Sequence, residues 1–357
     1  MTTRIFITGG AGFIATSLVE LLLKQFSGSP IWLYDNLHEQ VHGINADFVS
    51  KYPEVSFIKG DIVDKQHLIE SVKVANPDIV FHLASETGTG QSFDEVSRYC
   101  NVNVTGTANL IEAVRFLNKK CKIILSSSRA VYGEGAYADE RGSLYFGLTR
   151  DINKMKSGDY IVSLPNDPDF VLSPVPSNSD FSVSPTSVYA ATKLMQEYLL
   201  KTATSGSNIQ IAILRFQNVY GPGQSLNNPY TGVLSIFCKQ IIAGQTLEIY
   251  EDGLIVRDFV YVDDVAEALM KAAVLETSNE IIDIGLGKPV TILDAAKILM
   301  QYLGVSEDSY IISGKFRIGD IRYAVADINR AKTILKWEPK ISIEDGLKRL
   351  ARWVEES

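Results

Sequence analysis

The chain of 357 residues is poor in cysteine, has no long apolar run and carries no excess of positive charge. Its three cysteines, Cys100, Cys121 and Cys238, stand too far apart for a short metal-ligand pair, and an odd number cannot close a complete disulfide set. No metal site is expected, and the reducing cytoplasm is the expected compartment. No window reaches the ~18 uninterrupted apolar residues of a membrane span, and the N-terminus enters a strand without a basic and then apolar leader. Neither membrane insertion nor secretion is therefore expected. Lys and Arg number 34 against 42 Asp and Glu, a formal charge of -8. That balance opposes broad attraction to nucleic acid or anionic membrane, whereas a small anionic ligand needs only a few local cations.

What is present suits a large globular chain. With 46% apolar residues the chain can bury a substantial core, in one bilobal fold or two intimate domains. From Arg4 the pattern runs from the apolar Ile5-Phe6-Ile7 through a glycine-rich turn to a helix over Phe13 to Gln25, then a second run, Ile31 to Tyr34. This is a βαβ unit. Further runs at Ser56 to Ile58, Ile79 to His82, Ile123 to Leu125 and Ile211 to Leu214 alternate with helix-length stretches. Runs apolar on both faces indicate a parallel sheet, so the fold class is α/β, a Rossmann doubly wound parallel sheet with a smaller C-terminal α/β lobe. Residues 134–185 interrupt the rhythm with Pro165, Pro168, Pro174, Pro176 and Pro185, yet keep Tyr145, Phe146, Tyr160, Phe170 and Phe181. Those aromatics predict a docked inserted flap, able to cover a site, over a disordered linker. The expected division is a dinucleotide-binding domain of residues 1–220 plus 255–285 and a substrate lobe of residues 221–254 plus 286–357, with helices over Ile292 to Leu303 and Ile343 to Val354.

Thr8-Gly9-Gly10-Ala11-Gly12-Phe13-Ile14-Ala15 lies where strand becomes helix, so backbone N–H groups and the helix dipole can hold a pyrophosphate. The third small position is Ala15, whose single methyl still permits helix and strand to pack closely. Asp35 ends the second strand about 20 residues on, where a carboxylate accepts both adenosine ribose hydroxyls and repels a 2′-phosphate, favouring NAD over NADP. Asp35-Asn36 would also suit an ordinary strand-ending turn. Asp61-Ile62 ends the third strand, placed to flank an adenine.

Tyr189-Ala190-Ala191-Thr192-Lys193 sets a phenol and an ammonium one helical turn apart. A free tyrosine titrates near ~10, so a neutral-pH base needs a neighbouring cation. Such a pair alone better suits amphipathic packing with a solvated lysine, and its context reverses that reading. The triplet Ser126-Ser127-Ser128, directly after Ile123-Ile124-Leu125, lies at the strand end where such sheets place ligands, and Ser128 can bond the reacting oxygen.

With these residues placed, nearly the whole chain resembles the NAD-dependent epimerase/dehydratase family of extended short-chain dehydrogenase/reductases. The resemblance is carried by Thr8 to Ile14, Asp35-Asn36-Leu37, Gly60-Asp61-Ile62, His82-Leu83-Ala84, Asn103 to Thr107, Ser126 to Ser128 with Val131-Tyr132-Gly133, Tyr189 to Lys193, Arg215 to Gly223, and Arg257 to Val260. It implies Ser128, Tyr189 and Lys193 as catalytic residues. It also implies a cofactor site of Gly9, Gly12, Phe13, Ile14, Asp35, Asn36, Leu37, Asp61, Ile62, Leu83, Ala84, Ser85, Asn103, Ser126, Tyr189, Lys193 and Phe216, and a homodimer built on helices at about residues 100–117 and 189–203. For the substrate it implies Asn218 near a diphosphate, Arg257 on phosphate, and Arg317 and Asp320 near phosphate and nucleoside ribose.

Dehydratases of the family carry an Asp-Glu pair directly after the catalytic Ser or Thr. Here those positions are Arg129 and Ala130, which supply no carboxyl acid or base for eliminating water. Hydride chemistry at one carbinol remains, and with it a nucleotide-sugar 4-epimerase that keeps its NAD. The stretches Asp35 to Gly43, Gly88-Thr89-Gly90-Gln91-Ser92 and Ser128 to Gly135 resemble the dTDP-L-rhamnose 4-epimerase subgroup, although residues 134–185 lack the cysteine pairs of several of its members. This implies a dTDP-6-deoxyhexose destined for cell-surface polysaccharide, with Glu86, Gln91, Ser92, Ser128 and Arg129 beside the sugar. The alternatives are a UDP-hexose or UDP-N-acetylhexosamine 4-epimerase, a reductase that releases its cofactor, and a non-catalytic NAD-binding protein.

Overall fold

The structure, a computed structural model, describes residues 2–42, 52–167, 170–226, 232–276 and 279–357; Gly43 and Pro168 lie outside them. Seven strands, β1 (Ile5–Thr8), β2 (Ile31–Asp35), β3 (Ser56–Lys59), β4 (Ile79–His82), β5 (Cys121–Ser128), β6 (Ile209–Phe216) and β7 (Glu280–Ile284), form one sheet in the order β7-β6-β5-β4-β1-β2-β3. Every pairing is parallel. The order reverses between β1 and β4, which opens a crevice at the carboxyl ends of these strands.

Both faces of the sheet are covered, which is why its strands read as unbroken apolar runs. Ile5, Ile7, Leu33, Phe81, Ile124 and Leu214 pack on one side with Leu18, Val19 and Leu22 of α1 (Phe13–Gln25). Phe6, Val80, Ile123, Leu125 and Ile213 pack on the other with Leu68 and Val72 of α2 (Lys65–Ala75) and Leu110 and Val114 of α3 (Gly106–Arg115). Helix α4 (Val188–Thr204) joins this second side through Leu200. A separate core unites Leu234, Phe237 and Ile241 of α5 (Val233–Ile242) with Ala296 and Leu299 of α7 (Ile292–Tyr302) and Leu347 and Leu350 of α8 (Ile343–Glu356). Helix α6 (Val262–Val274) returns to the first core beside α1.

Residues 134–185 contain more regular structure than their composition predicts. Ala136–Ala138 pairs antiparallel with both Leu144–Phe146 and Ser173–Val175, and Asp151 caps a short helix, Ile152–Lys156, by accepting from Asn153 N–H at 2.8 Å. Tyr137, Leu148 and Val162 make a small core of their own. The expected aromatics do dock: Tyr145 meets Phe170 and Phe146 meets Phe181 edge-on at 6.0 and 5.2 Å. Ser177 N–H bonds Val325 O and Asp327 N–H bonds Ser177 O, both at 2.8 Å, so the segment is stitched to the C-terminal lobe. Among the described residues no helix is long and apolar enough to cross a membrane.

In the lobe core a Cβ on Gly346 would lie 1.9 Å from the Tyr220 hydroxyl, which is itself buried without a hydrogen-bond partner. Gly346→Ala should lower the unfolding free energy by about 1–3 kcal/mol in urea titrations, and adding Tyr220→Phe should recover part of that loss.

Candidate active site

The turn after β1 is shaped as a cradle. Gly9 has φ +67°, and a Cβ there would strike the Ala84 backbone N at 2.6 Å, so only glycine lets β1 pass this close to the end of β4. Gly12 begins α1 without a capping side chain, the first turn holds no acidic residue, and a Cβ on Gly12 would meet only Gly9 O, at 3.3 Å. A glycine turn leading into a helix start with no capping side chain and no acidic residue fits a pyrophosphate. Asp35, 8% exposed, accepts Ala11 N–H at 3.0 Å through Oδ2 and Leu37 N–H at 2.8 Å through Oδ1, with His42 Nε2 3.5 Å from Oδ1. Leu37 takes φ +56° to turn the chain there. Asn36 Nδ2 donates to Asp61 Oδ2 at 3.0 Å, tying the ends of β2 and β3, and Ile62 is buried below Gly106. Phe13 and Ile14 pack toward the lobe core. Leu83 N–H bonds Thr8 O, Ser126 Oγ bonds His82 O at 3.1 Å, and Phe216 is buried at the end of β6.

The helical run into α3 widens to a π turn at Cys100–Thr105, which carries the fully buried Asn103. Its Oδ1 accepts Glu86 N–H at 2.8 Å and its Nδ2 donates to Thr192 Oγ1 at 2.9 Å, joining the loop after β4 to α4.

Ser187 caps α4, accepting Ala190 N–H at 3.1 Å, so Tyr189 and Lys193 begin the helix as their spacing predicts. Burial raises the pKa of the Tyr189 phenol, while Ser128 at the end of β5 and the Arg129 charge pull it down. Lys193, 2% exposed, reaches Ser85 Oγ at 3.3 Å; burial lowers its pKa to about 7, with Glu197 opposing. Lys193 is the cation expected beside the phenol, and the Arg129 charge acts on Tyr189 as well.

The other expected contacts divide into two groups. Gln91 and Ser92 are buried with internal partners, Gln91 on Gln40 and Glu95 and Ser92 on Thr89 O, because their loop folds onto itself. Glu86 faces Arg98, which donates to both carboxylate oxygens at 2.8 and 2.9 Å. Arg257 Nη2 donates to Asp320 Oδ1 at 2.6 Å and its Nη1 to Val256 O and Ile321 O, so these two residues hold each other. Arg317 is exposed with its guanidinium 5.3 Å from the Tyr250 ring centre, Asn218 lies half-buried after β6, and Arg129 bonds Gly133 O at 2.7 Å.

A buried polar layer below the site was not anticipated from sequence. Arg215 of β6 donates to both carboxylate oxygens of Glu197 at 2.9 and 2.7 Å and to the Tyr132 hydroxyl at 2.8 Å. Tyr132 in turn donates to Asp283 of β7 at 2.8 Å, and Ser127 to Glu197 at 2.5 Å. A second chain runs from Thr8 through His82, whose imidazole burial drives down to about 3, to Thr107 and Gln196. One signal was available: Glu197 follows Lys193 by a single turn, which points it back at the same face.

Residues 6–142 match the family model for GDP-mannose 4,6 dehydratase, and residues 169–285 match that for the NAD dependent epimerase/dehydratase family. The chain is 37% identical to the dTDP-L-rhamnose 4-epimerase of Burkholderia thailandensis, over 98% of this chain and 94% of that one. Its fold matches the crystal structure of the Thermotoga maritima UDP-glucose 4-epimerase with UDP-glucose (TM-score 0.76, 29% identity, covering 99% and 98% of the two chains). It also matches the Thermus thermophilus UDP-glucose 4-epimerase with NAD (TM-score 0.79, 25% identity, 99% of each chain).

Because the folded-state pKa of Lys193, about 7, lies below its ordinary 10.5, the unfolded chain binds the extra proton between those values. Stability is therefore lost as pH falls through that window and is restored above it. Lys193→Met should raise the unfolding free energy of the ligand-free protein at pH 7 by roughly 2–4 kcal/mol, with the gain shrinking toward pH 10, as read from urea midpoints.

Proposed function

The chain belongs to the NAD-dependent epimerase/dehydratase family of extended short-chain dehydrogenase/reductases, and on that premise we propose that it is a nucleotide-sugar 4-epimerase acting through a transient 4-keto sugar. The observation that carries this reading is the juxtaposition of Ser128 with Tyr189, beside Arg129-Ala130 where elimination would need two carboxyl groups. Tyr189 takes the proton of the sugar C4 hydroxyl, and Ser128 holds that oxygen. Bound in the cradle after β1, NAD would supply a hydride acceptor for C4 and a hydride donor for the ketone. Lys193, at the end of its buried stem, would hold the cofactor's ribose side and, in its protonated form, favour the phenolate.

We assign the pyrophosphate to the turn from Gly9 to Gly12 and the N–H groups of Phe13 and Ile14, and the adenosine ribose to Asp35, Asn36 and Leu37. Asp61 and Ile62 flank the adenine, and Leu83, Ala84, Ser85, Asn103, Ser126 and Phe216 line the remainder. The substrate diphosphate falls to Asn218, Arg257 and Arg317, its ribose to Asp320, and the hexose to the region of Glu86, Gln91, Ser92, Ser128 and Arg129. The two-core architecture supports a cofactor domain of residues 1–220 plus 255–285 and a substrate lobe of the rest.

The substrate is a dTDP-6-deoxyhexose of the L-rhamnose kind, a reading supported by the 37% identical Burkholderia relative. A UDP-hexose is the second reading, favoured by the fold match to an enzyme holding UDP-glucose. A homodimer through α3 and α4 is supported by Met195 and Tyr198, 44% and 51% exposed on α4. The three free cysteines accord with a cytoplasmic setting.

Purified protein with no added NAD should convert dTDP-L-rhamnose, or failing that UDP-glucose or UDP-N-acetylglucosamine, to its C4 epimer in D2O with retention of the C4 proton, followed by NMR. Tyr189→Phe should slow that conversion by about 10²–10⁴-fold. Loss of water, or deuterium entering at C5, would sink the assignment, and stoichiometric consumption of added NAD(H) would make the enzyme a reductase.

A further inference from the structure

We propose that the inserted segment 134–185 is a fixed brace for the substrate-nucleotide loop, with Arg150 as the positioning residue; this rests on the nucleotide-sugar reading above. Residues 314–322 carry Arg317 and Asp320, and the insert grips both ends of this stretch. At one end the Tyr160 hydroxyl donates to Gly314 O at 2.9 Å. At the other, Arg150 Nη2 donates to Asp320 O at 2.7 Å. Between them Arg317 and Ile318 stay exposed, and Gly319 turns with φ +78° against Phe93.

Arg150 comes from the insert yet is only 3% exposed in its side chain, because the lobe encloses it. Its Nη1 donates to Glu251 Oε1 at 2.7 Å and its Nε lies 3.8 Å from Glu134 Oε2. The carboxylates it neutralises reach the same stretch again. Glu134 Oε1 accepts Arg322 N–H at 2.6 Å, and Glu251 Oε2 accepts Arg322 Nη1 at 3.1 Å. Asp252 takes two further bonds from Arg322 at 2.7 Å each. Asp320, with its carbonyl on Arg150, presents its carboxylate to Arg257 at 2.6 Å. The two residues given to phosphate and ribose are thus oriented by a guanidinium that touches neither ligand.

A planar fork is needed for this arrangement, since one group must serve a carboxylate and a carbonyl in different directions. A lysine would keep the charge that Glu251 and Glu134 require but could satisfy only one of the two. A loop held in its bound shape before the ligand arrives loses less freedom on binding, so the effect falls on affinity. It should not fall on the hydride step, because Arg150 acts at the nucleotide end of the site.

The test compares wild-type and Arg150→Lys holoenzyme by calorimetric titration with dTDP and UDP and by steady-state kinetics on the active nucleotide sugar. The expected result is a roughly tenfold rise in both the nucleoside diphosphate Kd and KM, with kcat within a factor of two. Tyr160→Phe, which leaves the charge cluster whole, should give the same pattern at about two- to threefold and serves if Arg150→Lys does not fold. Unchanged Kd and KM in the variant that folds, even with a lowered Tm, would make the cluster merely structural and overturn the brace alone. Failure of the wild-type protein to bind either nucleoside diphosphate would overturn the nucleotide-sugar reading itself, and the brace with it.

Discussion

The two hydrogen bonds from Arg215 to Glu197 join the sheet to the helix that carries Tyr189 and Lys193. Both residues are buried, so neither charge has water to fall back on, and removing one partner of such a pair costs about 3–5 kcal/mol while the pair itself contributes little net stability. What the pair supplies is geometry. Arg215 belongs to β6, Ser127 to β5, Asp283 to β7, and Tyr132 to the turn following Ser128. All of them address α4 or one another, so α4 has one rotation and one height at which every group is satisfied. At that setting Ser128 acts on the Tyr189 phenol. The alignment is produced from below, by groups that have no access to a substrate.

The same low-dielectric setting explains the charge states nearer the surface. Burial drives Lys193 toward neutrality and opposes ionisation of Tyr189. Arg129 counters this from the turn after β5. The Arg129 side chain therefore has two effects: it supplies no carboxyl group, and its charge favours the ionised phenol.

Local patterns were legible in the sequence because their causes are local. The helix Phe13–Gln25 follows from its apolar spacing and its glycine turn, and the strands from runs that both faces of a parallel sheet bury. Gly9, Gly12 and Asp35 could be placed for the same reason: each acts within one βαβ unit. Illegible were partners set by tertiary approach. Glu86 meets Arg98 within its own loop region, but Arg150 meets Asp320 across 170 positions and Tyr132 meets Asp283 across 151. No periodicity encodes such pairs. The docking of the insert was legible in its aromatics, but its short strands and single-turn helix were not, because they fall below the length at which composition distinguishes structure from loop.

The position of β7 in the chain has a consequence for biosynthesis. Asp283, which completes the polar layer, and Glu280–Ile284, which covers the open edge of β6, leave the ribosome after nearly four-fifths of the polypeptide. At roughly 5–20 residues per second, several seconds pass in which β6 is an unpaired edge and Tyr132 lacks its acceptor. A nascent chain shorter than this carries every residue of the Ser-Tyr-Lys set and still lacks the scaffold that aligns them. The polar layer thus closes only after the residues it aligns have been made, and until then the open edge of β6 is available for edge-to-edge association.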